Sequence, residues 1–152
     1  MPEFEDLIPE GYCLSCRGCC RFAEKDSVWL PHLLAEEEER FAEISVLPDP
    51  GRGSYLCGFL DTKTNECRVY AKRPLDCRLY PFLINRSPAG VFLGIDPNCV
   101  FIKDNLGKKG FFDSLLEMGG FCQSPEFINI LKNNPCLIQA YEDVLNLTRI
   151  NI

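Results

Sequence analysis

The sequence predicts an α+β fold: a small, irregular, cysteine-rich half with short hairpins, followed by a helical C-terminal tail. Three observations carry this. Eight of the ten cysteines fall between residues 13 and 99, far more than a core of this size needs. Over the same stretch, short apolar runs alternate with polar turn residues. Beyond Gly110 the apolar residues recur at helical spacing, with a helix start written as Ser124-Pro125-Glu126.

At 152 residues the chain is long enough to bury a core without covalent staples. It reads as a single domain over 1–152, with a cysteine-rich core at 11–100 and a helical extension at 107–152. Residues 1–12, with Pro2 and Pro9, read as an irregular arm. The run from Cys13 to Arg21 is a loop, tightening into a helical turn after Gly18. Ser27-Val28-Trp29-Leu30 is β-prone and short. Pro31 then suits the first turn of a helix carrying Leu33, Leu34, Phe41 and Ile44, with Glu36–Glu39 on its solvated face.

PDPGRGS, residues 48–54, is a loop by composition. Tyr55 to Leu60 and Cys67 to Tyr70 flank DTKTNE as a hairpin with a polar turn. Pro74 and Pro81 hold the residues before them extended, so RPLDCRLYP is a rigid crossing with at most a short helix. PFLIN and VFLGI, around RSPAG, make a second hairpin, and DPNC turns Cys99 back toward the sheet. Helical patterns follow: FFDSLLEM stopping at Gly119-Gly120, SPEFINILKN, and a last helix from about Pro135 to Leu147.

The formal charge of −6 argues against a nucleic-acid partner, because phosphate binding needs a basic surface. The signs are segregated. Acidic residues crowd Glu3 to Glu10 and Glu36 to Glu39, whereas Arg17, Arg21, Arg68, Arg73 and Arg78 sit beside cysteines. The N-terminal residues show neither a basic region nor an apolar run, and no stretch has the length of a membrane span. The expected compartment is therefore cytoplasmic, where thiols stay reduced and clustered cysteines read as metal or redox sites. A disulfide scaffold would require export, which nothing here signals.

Cys13, Cys16, Cys19 and Cys20 form CLSCRGCC, two CxxC steps ending in an adjacent pair. Each step places two sulfurs on one side of a tight turn, close enough to share a metal. Three sulfurs from one loop is also how bacterial ferredoxins hold three corners of a [4Fe–4S] cube. Here Cys20 follows Cys19 at once, without the ferredoxin's spacer and Cys-Pro. Adjacent side chains point apart, so the pair more easily serves two neighbouring metals than one. Cys57, Cys67, Cys77 and Cys99 complete a candidate set of eight. Thiolates suit zinc and iron–sulfur alike, and the absence of a further CxxC among Cys57, Cys67, Cys77 and Cys99 favours the cluster. Nearby guanidinium groups would offset the negative charge of a thiolate centre.

Of the remaining candidates, His32 reads as a packing or capping residue, and Cys122 and Cys136 read as core. Tyr70, Asp76 and Tyr80 flank the central cysteine and read as packing and capping groups, or as hydrogen-bond donors around a metal. Phe111, Phe112, Phe121 and Phe127 read as core, with a partner surface as their other use.

CLSCRGCCR, then Cys57, then Cys67 through VYAKRPLDCRLYPF, then Cys99, together resemble the CxxCxxCC cysteine-cluster family, a zinc- or iron-chelating domain. The resemblance covers about residues 11–100 and implies that those eight cysteines are its metal ligands. A more distant similarity is to the cluster domain of flagellin lysine N-methylase, a much longer protein with S-adenosylmethionine-linked methyl transfer. Three functions remain open: an iron–sulfur protein in electron transfer with a redox partner, a structural zinc module for a protein partner, and a cluster- and S-adenosylmethionine-dependent methyltransferase-like enzyme. Surplus sulfurs count against the third, which needs an open coordination position.

Overall fold

The two apolar runs on either side of Pro88-Ala89 form the hairpin around which the molecule is built. The structure is a computed structural model that describes residues 4–16, 19–42 and 44–152. Pro2, Glu3, Arg17 and Gly18, four positions used above, lie outside the described residues. The first half contains α1 (Glu10–Ser15), β1 (Arg21–Phe22), β2 (Val46–Pro48), β3 (Tyr55–Cys57), β4 (Leu60–Asp61), β5 (Glu66–Cys67) and α2 (Leu75–Leu79). The second contains β6 (Phe82–Ser87), β7 (Gly90–Ile95), α3 (Val100–Asn105), α4 (Lys109–Cys122), α5 (Pro125–Asn133), β8 (Ile138–Gln139) and β9 (Leu145–Arg149).

β6 and β7 pair antiparallel from Phe82↔Ile95 to Ser87↔Gly90. β8 adds parallel to β6 and β9 antiparallel to β7, giving the order β8-β6-β7-β9. Phe82 to Asn85 are buried without interruption, because both faces of β6 are covered. The core takes Phe82, Ile84, Leu93 and Ile95 from this sheet and packs them against Leu75, Leu79, Ile102, Cys122, Phe127 and Leu131 from the helices. The buried Asn85 amide donates to Asn146 Oδ1 and accepts from the Tyr141 N–H, at 3.0 and 2.9 Å. It thereby holds the segment before β9 against the sheet.

The cysteine-rich half is two small sheets. β3 lies between β1 and β2, so Tyr55–Cys57 leaves the hairpin expected of it; β4–β5 keeps the polar turn as a two-residue pairing with Leu60 opposite Cys67, and Tyr70 begins a 3-10 turn instead of ending a strand. The short helix anticipated inside RPLDCRLYP is α2, followed by a cis Tyr80–Pro81 bond. Cys13 is helical rather than in a loop, since α1 begins at Glu10. Ser27 to Leu30 turns instead of forming a strand.

Two helical expectations fail for tertiary reasons. Residues 35–42 are successive turns, not a helix. Leu34 and Phe41 are buried as their spacing implied, but so is Glu37, at 2 % exposed. Its carboxylate accepts from the Leu34 N–H at 3.0 Å and the Leu75 N–H at 2.9 Å. The second bond satisfies one of the donors that the start of α2 leaves without an intrahelical acceptor. Glu37 is thus a buried clamp and not part of a solvated face. The tail also departs from expectation. It is helical to Asn133, with Ser124 Oγ accepting from Phe127 N–H as an N-cap. Then Pro135–Leu137 makes a single 3-10 turn and the chain returns as β8 and β9.

α4 runs through Gly119-Gly120, where a stop was expected, and ends at Cys122. A Cβ on Gly119 would stand 3.9 Å from Thr148 Cγ2, so the helix lies close to β9. Packing there outweighs the propensity cost of about 1 kcal/mol for each glycine. Cys122 is fully buried, but Cys136 is exposed, because the 3-10 turn puts Leu137 inward. Phe111 and Phe127 are core as expected, whereas Phe112 is 58 % exposed. Among the described residues no helix is long and apolar enough to cross a membrane.

Replacing Glu37 by alanine leaves two backbone N–H groups without their acceptor, each costing about 1–3 kcal/mol. Urea unfolding of Glu37→Ala should show a loss of about 2–4 kcal/mol, against at most about 0.5 kcal/mol for Glu36→Ala at an exposed position. Equal midpoints for the two variants would refute the clamp.

Candidate metal centre

The eight cysteines come from six segments that the two small sheets, α2 and α3 bring to one side of the molecule. Cys13 lies in α1, and Cys16 caps its C-terminus. Cys19 and Cys20 precede β1, whose partner β3 ends in Cys57. The Cys57 N–H donates to the Cys20 carbonyl at 2.9 Å, tying these two positions together. Gly58 follows where the chain comes so near Ser45 that an added Cβ would lie 2.9 Å from its carbonyl oxygen. Cys67 ends β5, Cys77 is in the middle of α2, and Cys99 is the residue before α3. Asn65, in the β4–β5 turn with φ of 60°, donates its amide to the Cys16 carbonyl at 2.9 Å and so joins the hairpin to the first run.

Cys13, Cys16, Cys19, Cys67 and Cys77 border a cavity of about 480 Å³. Cys20 adjoins it through a hydrogen bond from the Cys19 thiol. Cys57 lies within the fields of Cys20 and Cys67, and Cys99 within that of Cys16. The described residues include all ten cysteines, and none is in a disulfide. Among the described residues no group of three cysteine, histidine or carboxylate side chains is already set to hold a metal ion. The thiols are gathered into one neighbourhood without being closed on one point. Cys122 and Cys136 lie elsewhere, Cys136 donating to the Leu33 carbonyl at 3.3 Å.

Burial raises the thiols of Cys13, Cys57, Cys67, Cys77 and Cys99 above their ordinary value. Cys20 goes the other way. The hydrogen bond from Cys19 lowers it most, the Arg21 and Arg73 guanidinium groups lower it further, and the same bond holds Cys19 up. Cys20 is thereby lowered to about 7. Burial pushes Cys122 to about 12, as suits an inert core thiol.

The surrounding groups are fixed in turn. Tyr70 hydrogen-bonds Cys13, and burial brings its hydroxyl to about 12, so it stays a donor. The Arg73 guanidinium lies 3.8 Å above the Tyr70 ring and pairs with Asp6 at 2.8 Å. Arg78 reaches the same Asp6 at 3.3 Å. The acidic N-terminal stretch thus comes beside the cysteines instead of remaining apart. Arg68 donates to the Gly58 carbonyl and acts on Cys57 and Cys67, Arg21 acts on Cys20, and Arg73 acts on Cys13, Cys20, Cys67 and Cys77. Tyr80 donates to the buried Asp96 at 2.7 Å. Asp76 Oδ2 accepts from the His32 backbone N–H at 2.8 Å and stands 3.2 Å from His32 Nδ1. Asp6, Asp96, Trp29 and Tyr141 were not legible as site residues, since no motif marks them; the structure puts Trp29, Tyr141 and Asp96 on the cavity wall and Asp6 against Arg73.

The donor set is chemically suited to a thiophilic metal: soft sulfur ligands, flanking cations and room beside them. Residues 12–99, more than half of the chain, match the family model CxxCxxCC, described as "Putative zinc- or iron-chelating domain". No curated protein and no solved structure matches the chain.

In reduced, metal-free protein, alkylation of Cys20 should set in at lower pH than that of Cys136, because thiolate is the reacting form. Cys19→Ala removes the lowering hydrogen bond and leaves burial in control, so the Cys20 profile should move to higher pH. Mass-spectrometric alkylation across pH checks this; a Cys20 profile unmoved by Cys19→Ala would contradict the assigned cause.

Proposed function

The chain belongs to the CxxCxxCC family, a zinc- or iron-chelating domain, and we propose that its eight clustered cysteines hold an iron–sulfur centre that transfers electrons. The observation that carries this reading is the placement of Cys13, Cys16, Cys19, Cys20, Cys57, Cys67, Cys77 and Cys99 in one neighbourhood, with Cys122 and Cys136 left outside it. A tetrahedral ion or a cubane uses four sulfurs, so eight suffice for two centres. Cys20 links them: its field reaches Cys13, Cys57, Cys67 and Cys77, and it accepts the hydrogen bond of Cys19.

An iron–sulfur centre supplies reversible one-electron chemistry, tuned by charge and hydrogen bonds at its sulfurs. This chain's residues would do that tuning. Tyr70 donates to Cys13, and Arg73 places positive charge near Cys13, Cys20, Cys67 and Cys77. Cys19 is exposed toward the cavity, which gives electrons from a redox partner a short way in. Metal binding by sulfurs from six segments would tie those segments together and stabilise the fold.

Iron, acid-labile sulfide and visible absorption, measured on protein purified without oxygen, test the proposal. Iron with sulfide and a broad brown band is expected. Colourless protein with zinc alone would replace the cluster by a structural zinc site, and protein free of both metals would refute metal binding by this set. Cys20→Ser and Cys77→Ser should each lose at least half of the metal, whereas Cys122→Ser and Cys136→Ser should keep it. A chelator should lower the thermal midpoint of the loaded protein and leave that of the metal-free protein unchanged.

A further inference from the structure

The cysteines form only part of the cavity lining. A space of about 480 Å³ is within the range that binds small molecules. Its wall is divided by charge. Arg21 and Arg73, the basic residues on the lining, act on the cysteines. The other wall is formed around Trp29 and Tyr141, whose ring centroids are 4.8 Å apart at 53°. Glu142 and Asp143 follow Tyr141 on the same lining, both exposed, and among the described residues neither is in a salt bridge. Asp76 is also on the lining: its field reaches Tyr141, and His32 uses only its Oδ2.

We infer that this aromatic and acidic wall binds a small organic ammonium cation beside the cysteine cluster. Two aromatic faces attract a weakly hydrated cation, and a strongly hydrated metal ion gains little from them. The carboxylates at the mouth supply attraction and exclude anions. The wall is also held in place before any ligand arrives. Asn85, buried in β6, fixes the Tyr141 backbone, and Asp76 is fixed by the His32 N–H. The inference does not depend on which metal the cysteines hold.

Trp29 is the only tryptophan, so its fluorescence reports on this wall directly. Protein as purified is titrated with benzyltrimethylammonium, benzyl alcohol, benzoate and calcium. The expected result is a saturable change with benzyltrimethylammonium and binding about fivefold or more weaker for the neutral and anionic compounds. Calcium should fail to displace the ammonium compound. Glu142→Gln with Asp143→Asn should weaken it about two- to fivefold; asparagine keeps the left-handed backbone at residue 143, where φ is 58°. Tyr141→Phe should retain binding and Tyr141→Leu should lose most of it.

Ligand-observed NMR with the same compounds detects binding even where Trp29 does not respond. Equal affinity for the three aromatic compounds, displacement by calcium, no binding by either method, or an unchanged affinity in the double variant would each overturn the inference. Metal content measured on the same samples separates the two proposals: an ammonium site without metal leaves this one standing and removes the cluster, and the reverse removes this one alone.

Discussion

The carboxylate of Glu37 is the contact on which the cysteine-rich half depends. It lies buried between the Leu34 and Leu75 amides and bolts a long turn-rich loop onto the start of α2. α2 carries Cys77 and Asp76 to the cavity, and Asp76 makes a second bolt to the same loop through His32. An apolar clamp could not serve here, because two buried N–H groups would remain without acceptors. The arrangement also explains why a region without long strands or helices holds one shape. Its short elements are tied across the sequence by carboxylates and amides, and the four-stranded sheet behind α2 supplies the apolar backing.

Electrostatics then separates the cavity into two characters. The cysteine wall is served by guanidinium groups and by the Tyr70 hydroxyl, all of which favour negative sulfur. Asp6 holds Arg73 and Arg78 in position, and at 39 % side-chain exposure its pairing acts more by geometry than by energy. The same lining also carries the Trp29 and Tyr141 rings with Glu142 and Asp143 beside them.

Several pieces of the fold were legible locally. The Ser124 cap, the β6–β7 hairpin around Pro88-Ala89 and the short crossing helix between Pro74 and Pro81 depend on turn and cap chemistry, which neighbouring residues specify. The same holds for the polar turn joining β4 to β5. The readings that failed were those whose outcome lay with distant partners. Glu36 to Glu39 scored as a helix face, yet residue 37 is claimed by an amide thirty-eight positions away. The segment after Asn133 scored as a helix, yet β6 and β7 offered free edges that β8 and β9 fill.

By itself the sequence determined the chemistry of the site: which sulfurs are candidates, that they start from a run with two-residue spacers, and that cations accompany them. Those properties belong to residue types and to spacing of a few positions, which the backbone cannot rearrange. Only the tertiary structure decided that Cys67 and Cys77 arrive at the same cavity as the first run, that Cys57 and Cys99 come close enough to its cysteines to feel their fields, and that Cys136 is exposed. It alone set Trp29 and Tyr141, 112 positions apart, ring against ring on the facing wall. The reason is physical. Such meetings depend on which apolar surfaces bury one another and which buried amides find acceptors, and both are properties of the folded whole.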